Sequence, residues 1–82
     1  LDTNKLRSFF YGLSKQDRES FAKKCNTSVG MIVQIINKNR SCHPTLAIDI
    51  DRESKSFVLC DELCPRTDFE YLRQRSRFLE EV

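Results

Sequence analysis

Two helical patterns with barely room for a turn between them constrain this chain more than any other feature. From Asp17 to Asn37 it reads DRESFAKKCNTSVGMIVQIIN. Phe21, Ala22 and Cys25 recur at helical spacing, and so do Val29, Ile32, Ile35 and Ile36. Only Asn26, Thr27 and Ser28 separate the two sets. Asn tolerates a left-handed backbone better than most residues, and Thr27 or Ser28 can cap the helix that follows. Ala22 is small enough to let that helix lie close. The stretch predicts two short helices joined by a tight turn.

The second of these helices turns Ser28, Gly30, Met31, Gln34 and Lys38 outward. A glycine inside a helix costs about 1 kcal/mol against alanine, so Gly30 suits a place where another molecule approaches the backbone. Gln34 has the geometry to pair with adenine through two hydrogen bonds, and Met31 can pack on a thymine methyl. These residues predict a helix-turn-helix unit that reads base edges with Ser28, Gly30, Met31 and Gln34. Lys15, Thr27, Lys38, Asn39 and Arg40 are placed for phosphates, contacts that position the protein without specifying sequence.

Apolar spacing alone would fit an ordinary helical hairpin, and charge separates the two readings. The net charge is only +2. Between Ser14 and Arg40, however, six basic residues (Lys15, Arg18, Lys23, Lys24, Lys38, Arg40) face two acids, Asp17 and Glu19. Between Ser41 and Glu70 three basic residues face seven acids. Basic charge gathers on the candidate reader, as an anionic partner requires.

The remaining sequence reads as scaffold. Leu6, Phe9, Phe10 and Leu13 form the apolar face of a first helix, from a cap at Asn4 to about Tyr11, with Gly12 ending it in a left-handed conformation. Ser14 caps the second helix, with Asp17 near its positive end. His43 precedes or caps a fourth helix, with Pro44 in its first turn and Leu46, Ala47 and Ile50 inside. Phe57-Val58-Leu59 is a short extended run, open to being a strand, and Cys60 to Leu63 a single helical turn weakly capped by Cys60. Helix resumes from Asp68, where Phe69, Leu72, Phe78, Leu79 and Val82 are too apolar to be idle. Residues 1–68 are thus expected to form the helix-turn-helix domain. Residues 69–82 are expected to form a helical tail for packing or oligomerisation through Phe69, Leu72, Phe78 and Leu79. At 82 residues the chain is expected to hold one modest core, which a dimer would suit.

From about Leu6 to Leu72 the sequence resembles the small Cro-like helix-turn-helix proteins of phages and prophages, in particular the YdaS type. The resembling pieces are FAKKCNTSVGMIVQII, HPTLAIDIDRES and FVLCDELCPRTDFEYL. Members tend to show a C-(G/N)-T-S-x-G-x-(L/I) turn and reader helix, then a P-x-L-A-x-x-I-(E/D) helix. The resemblance implies an all-α fold, a compact bundle of about five short helices of the lambda-repressor-like type, here with an extra C-terminal helix. It implies a dimeric repressor binding double-stranded operator DNA, and some members are described as antitoxins. By resemblance Thr27, Ser28, Gly30, Met31 and Gln34 inherit operator reading. Two loops depart from the pattern: Asn37-Lys38-Asn39 stands where members often have Gly, and Lys55-Ser56 where they often have Gly-Gly.

Other chemistries have weaker footing. Cys42, His43, Cys60 and Cys64 are too poorly spaced for a compact zinc site, since adjacent residues rarely point at one ion, and no metal or cofactor is expected. With one His, no phosphate-binding Gly loop and no sheltered carboxylate pair, the chain does not read as an enzyme. Asp49, Asp51 and Glu53 are expected to lie on a solvated helix surface. Four cysteines without an export signal suit a reducing cytoplasm, and no apolar run reaches bilayer length. The alternative class is an interaction module that keeps the helix-turn-helix fold but uses it, or the apolar tail, to bind a protein.

Overall fold

The first turn of each helix is closed by a side chain more often than not, and this sets where the elements begin. In the computed structural model, which describes the backbone of residues 1–81 and the side chains of residues 1–75, the chain forms six α-helices. They are α1 (Asn4–Tyr11), α2 (Lys15–Lys24), α3 (Val29–Ile36), α4 (Pro44–Glu53), α5 (Cys60–Leu63) and α6 (Phe69–Glu81). The fold is all-α, with no strand among the described residues. Ser14, Ser28 and His43 each accept the backbone N–H three residues ahead, at 3.1, 3.1 and 3.3 Å. Each satisfies one of the donors a helix N-terminus leaves open. Asp68 does the same for Tyr71 at 2.9 Å.

Helix ends are closed in a way the composition hides. Asn26, Lys38 and Lys55 all have positive φ, at 58°, 61° and 54°. At each one, two backbone bonds fold the chain back on the helix it leaves. After α2, the N–H of Asn26 donates to the Lys23 carbonyl and that of Thr27 to the Ala22 carbonyl, both at 3.0 Å. After α3, Lys38 and Asn39 donate to Ile35 and Gln34, both at 2.9 Å. After α4, Lys55 and Ser56 donate to Arg52 and Asp51 at 3.1 and 2.8 Å. This is the paired closure usually made with glycine at the left-handed site. Here two lysines and an asparagine take that site, and Ser56 adds a further left-handed residue at φ 64°. Lys38 and Lys55-Ser56 thus hold a backbone shape that glycine more often takes.

The core sits where α1, α2, α3 and α4 meet. Leu6 and Phe10 are fully buried from α1, Ile32, Ile35 and Ile36 from α3, and Ala47 and Ile50 from α4. Phe21 of α2 packs at a tilt against Phe9 with ring centroids 5.1 Å apart and lies 6.3 Å from Phe10. Val58, Leu63 and Phe69 close the bundle from the C-terminal side. Two arginines bind helix ends across the fold. Arg18 donates to the carbonyls of Phe10 and Tyr11, each at 3.1 Å, and its guanidinium lies 5.3 Å from the Tyr11 ring. Arg7 donates to Asn37 Oδ1 at 3.3 Å, beside the Ile36 carbonyl, which takes the Thr3 hydroxyl at 3.0 Å.

Several expectations are corrected. Thr3 rather than Asn4 occupies the cap position of α1, and Asp2 Oδ1 accepts the Asn4 N–H at 3.0 Å. Gly12 is right-handed, at φ −77°. What selects glycine there is space, since a Cβ would lie 3.1 Å from the Ser8 carbonyl oxygen. Phe57-Val58-Leu59 is no strand. Val58 is buried and its neighbours exposed, an alternation that mimics a strand, but no second strand pairs with it. Leu59 rather than Cys60 precedes α5, and the Cys60 N–H is satisfied by Asp51 Oδ2 at 2.9 Å. The acids of α4 are not simply solvated: Asp49 is buried and bonded to Arg52 at 2.9 Å, while Asp51 also accepts the Ser56 hydroxyl at 2.7 Å. Phe69, expected at an oligomer contact, is only 4% exposed and belongs to the chain's own core. Leu72 is 47% exposed, and the side chains of Phe78, Leu79 and Val82 lie outside the described residues.

Candidate nucleic-acid interface

Residues Ser14 to Asn37 fold as a helix, a short turn and a helix. α2 begins at the Ser14 cap and buries Phe21, Ala22 and Cys25. The left-handed Asn26 reverses the chain, and Ser28 then starts α3 by accepting the Met31 N–H. Because apolar residues fall at positions 32, 35 and 36, α3 is pinned by one stripe, with Val29, Met31 and Val33 half-buried beside it and Gly30 and Gln34 turned outward.

The predicted base-reading residues divide. Ser28, Gly30 and Gln34 are exposed, and the Gln34 carboxamide has no hydrogen-bond partner among the described residues. Met31 is half-buried and packs against the core, so only part of its side chain faces out. A Cβ built on Gly30 would meet only Ser28 Oγ, at 4.0 Å. Nothing inside the protein needs a glycine there, although the helix would be stronger with alanine.

The predicted phosphate contacts also separate. Lys15, Lys38, Asn39 and Arg40 are exposed and Thr27 half-buried. Among the described residues the ion pairs are Lys5–Glu62, Arg52–Asp49, Arg52–Glu53, Arg73–Asp61 and Arg73–Glu70. None involves Lys15, Lys23, Lys24, Lys38 or Arg40. Arg18, counted in the basic segment, is occupied at the end of α1. A pocket of about 230 Å³ brings Thr27, Met31 and Arg40 together with Asn26, Ser41, His43 and Leu46. Lys15, Lys38 and Asn39 do not line it. From the sequence Ser41 carries no ligand role, and His43 only the weakly founded one in a zinc site with Cys42, Cys60 and Cys64. The other signal available was His43-Pro44 at a helix start, which points to capping.

The cysteines are free thiols, with Cys25, Cys42 and Cys60 buried. Burial, with Asp49 beside it, pushes the Cys25 thiol up to about 12, and burial pushes Cys42 up to about 12. Burial and the Asp51 carboxylate push Cys60 up to about 11. All three are protonated and act as small apolar side chains at neutral pH. Cys42 and Cys64 line one pocket, whereas Cys60 faces Asp61 and Arg73 and His43 caps α4 through Nδ1. The four residues therefore do not converge. Among the described residues no helix is long and apolar enough to cross a membrane.

Compared with protein-family models, curated proteins and solved structures, the chain finds no match in any of the three.

Proposed function

We propose that this chain is a sequence-specific DNA-binding regulator that reads the major groove of operator DNA with α3, acting as a homodimer. The observation that carries the reading is the state of one surface. α3 and its cap expose Ser28, Gly30 and a Gln34 carboxamide with no hydrogen-bond partner among the described residues, and five cations of the helix-turn-helix segment and the loop after it (Lys15, Lys23, Lys24, Lys38 and Arg40) have no carboxylate partner there. Polar capacity and positive charge left open on one helix-turn-helix unit suit an external polyanion with readable edges. The resemblance to Cro-like proteins supports the same reading.

The mechanism follows from the parts. Unpaired lysines draw the protein to any duplex and release counterions, which gives non-specific affinity. Gln34 then discriminates by two hydrogen bonds to one base, and Gly30 lets the α3 backbone approach the groove. One α3 reads few base pairs, so two copies would bind half-sites roughly 34 Å apart. The exposed Leu72 on α6 offers apolar surface for the second copy. The same surface favours a second reading, in which the chain is an antitoxin or interaction module whose α6 grips another protein.

Selection from a random-duplex pool, followed by gel-shift titration of the winners, tests the proposal. One enriched motif with two similar halves is the expected result. Negligible affinity for every duplex at low salt would end the DNA reading and leave the interaction module.

A further inference from the structure

We propose that the pocket between the helix-turn-helix turn and the start of α4 is a phosphate site, in which Arg40 and His43 hold one backbone phosphate of the bound duplex. The inference rests on the DNA reading above and names a ligand-binding role for Ser41 and His43.

The pocket holds about 230 Å³, room for a phosphate group with water beside it. Its polar lining is Asn26, Thr27, Arg40, Ser41 and His43, every one of which can donate a hydrogen bond, and no acid is among them. Arg40 is exposed and has no carboxylate partner among the described residues, so its guanidinium fork is available for a bidentate contact. His43 is more specific. Its Nδ1 accepts the Leu46 N–H at 3.3 Å, which requires that nitrogen to be unprotonated. The neutral ring therefore carries its proton on Nε2, and the cap that starts α4 fixes the imidazole as a donor. The positive end of α4 adds to the attraction.

The location gives the site its use. Thr27 precedes α3 and Arg40 to His43 follow it, while Met31 of α3 contributes to the apolar wall. A phosphate held here would tie the chain entering the reader helix to the chain leaving it. That fixes the helix against the duplex backbone next to the bases Gln34 reads.

Two arms test the site, both on the full chain. In the first, inorganic phosphate is titrated at constant ionic strength, balanced with chloride, and amide resonances are followed. Saturable shifts confined to Thr27, Ser41 and His43, abolished in Arg40→Gln and weakened several-fold in His43→Asn, are expected. Arg40 makes no hydrogen bond or ion pair among the described residues that would put folding at risk, and Asn keeps a cap acceptor while removing the Nε2 donor. Absent shifts, shifts scattered over all lysines, or an unchanged titration in Arg40→Gln overturn the pocket. In the second arm, Arg40→Gln should weaken specific and random duplexes alike and lower the salt slope by about one unit. Duplex binding with an unchanged slope in Arg40→Gln overturns this site alone and leaves the reader standing. A positive phosphate titration with no duplex binding overturns the DNA source, and the DNA reading with it, and leaves a site for a free phosphate ester.

Discussion

Residues 14–40 and residues 41–75 share one core, yet their charged side chains are employed in opposite ways. In the second region every acid through Glu70 is engaged. Asp49 and Glu53 pair with Arg52, Asp61 and Glu70 with Arg73, and Glu62 with Lys5. Asp51 holds Ser56 and Cys60, and Asp68 caps α6. In the first region only Arg18 among six cations is used internally among the described residues. The comparison shows which charges organise the chain and which are left to organise something else. Exposed pairs are worth little each, so the second region's carboxylates matter mainly where they also close backbone donors. Asp51 does so, and its carboxyl shows it. Burial disfavours its charged form, but the Cys60 N–H and Ser56 hydroxyl outweigh this and hold it below the ordinary carboxylate range.

Four substitutions can break or sharpen the contrast. Ile35→Ala, on the buried stripe of α3, should cost about 2–5 kcal/mol of stability by urea denaturation. A loss under 1 kcal/mol would mean that α3 is not pinned as described. Asp51→Ala should cost about 1.5–3 kcal/mol, since it strands the Cys60 N–H, and leave duplex affinity unchanged. Because the folded carboxyl lies below its unfolded value, its contribution is complete above about pH 4 and is lost as pH falls through the folded value. The gap between wild type and Asp51→Ala should therefore shrink in acid, and a gap that widened would reverse the assigned sign. Gln34→Ala should leave stability unchanged and weaken the selected duplex by about 1–3 kcal/mol with relaxed base preference. Equal losses on specific and random DNA would make Gln34 a non-specific contact. Gly30→Ala should raise stability by about 0.4–1 kcal/mol, because its surroundings are open, while weakening the selected duplex. If binding were untouched, close approach at Gly30 would be dropped.

What could be read from the sequence was what depends on neighbours along the chain. Ser14 and Ser28 cap as expected because a hydroxyl needs only the N–H three residues ahead. Asn26 is left-handed as expected because its side chain tolerates that geometry. The α3 stripe followed from spacing alone. Lys38, Lys55 and Ser56 hid their left-handed backbones, since neither lysine nor serine advertises them. Gly12 misled in the other direction, because its missing Cβ serves close packing rather than a turn. Asp51 was unreadable because its partner Cys60 lies nine residues on, across a turn whose shape the sequence does not announce. The pocket was half legible. Thr27 and Arg40 stood out as polar residues flanking α3, whereas His43 acquires a fixed donor only once its other nitrogen is seen to cap α4.

The bonds from Thr3 and Arg7 to the end of α3 also bear on the order in which the molecule opens. They span 33 and 30 residues, so the last turn of α3 is finished by side chains that precede or belong to α1. Release of the first few residues would strip the Ile36 carbonyl of its Thr3 partner. In native-state hydrogen exchange, amides in the last turn of α3 should then exchange in step with the N-terminal segment, ahead of Ile32 at the centre of the core.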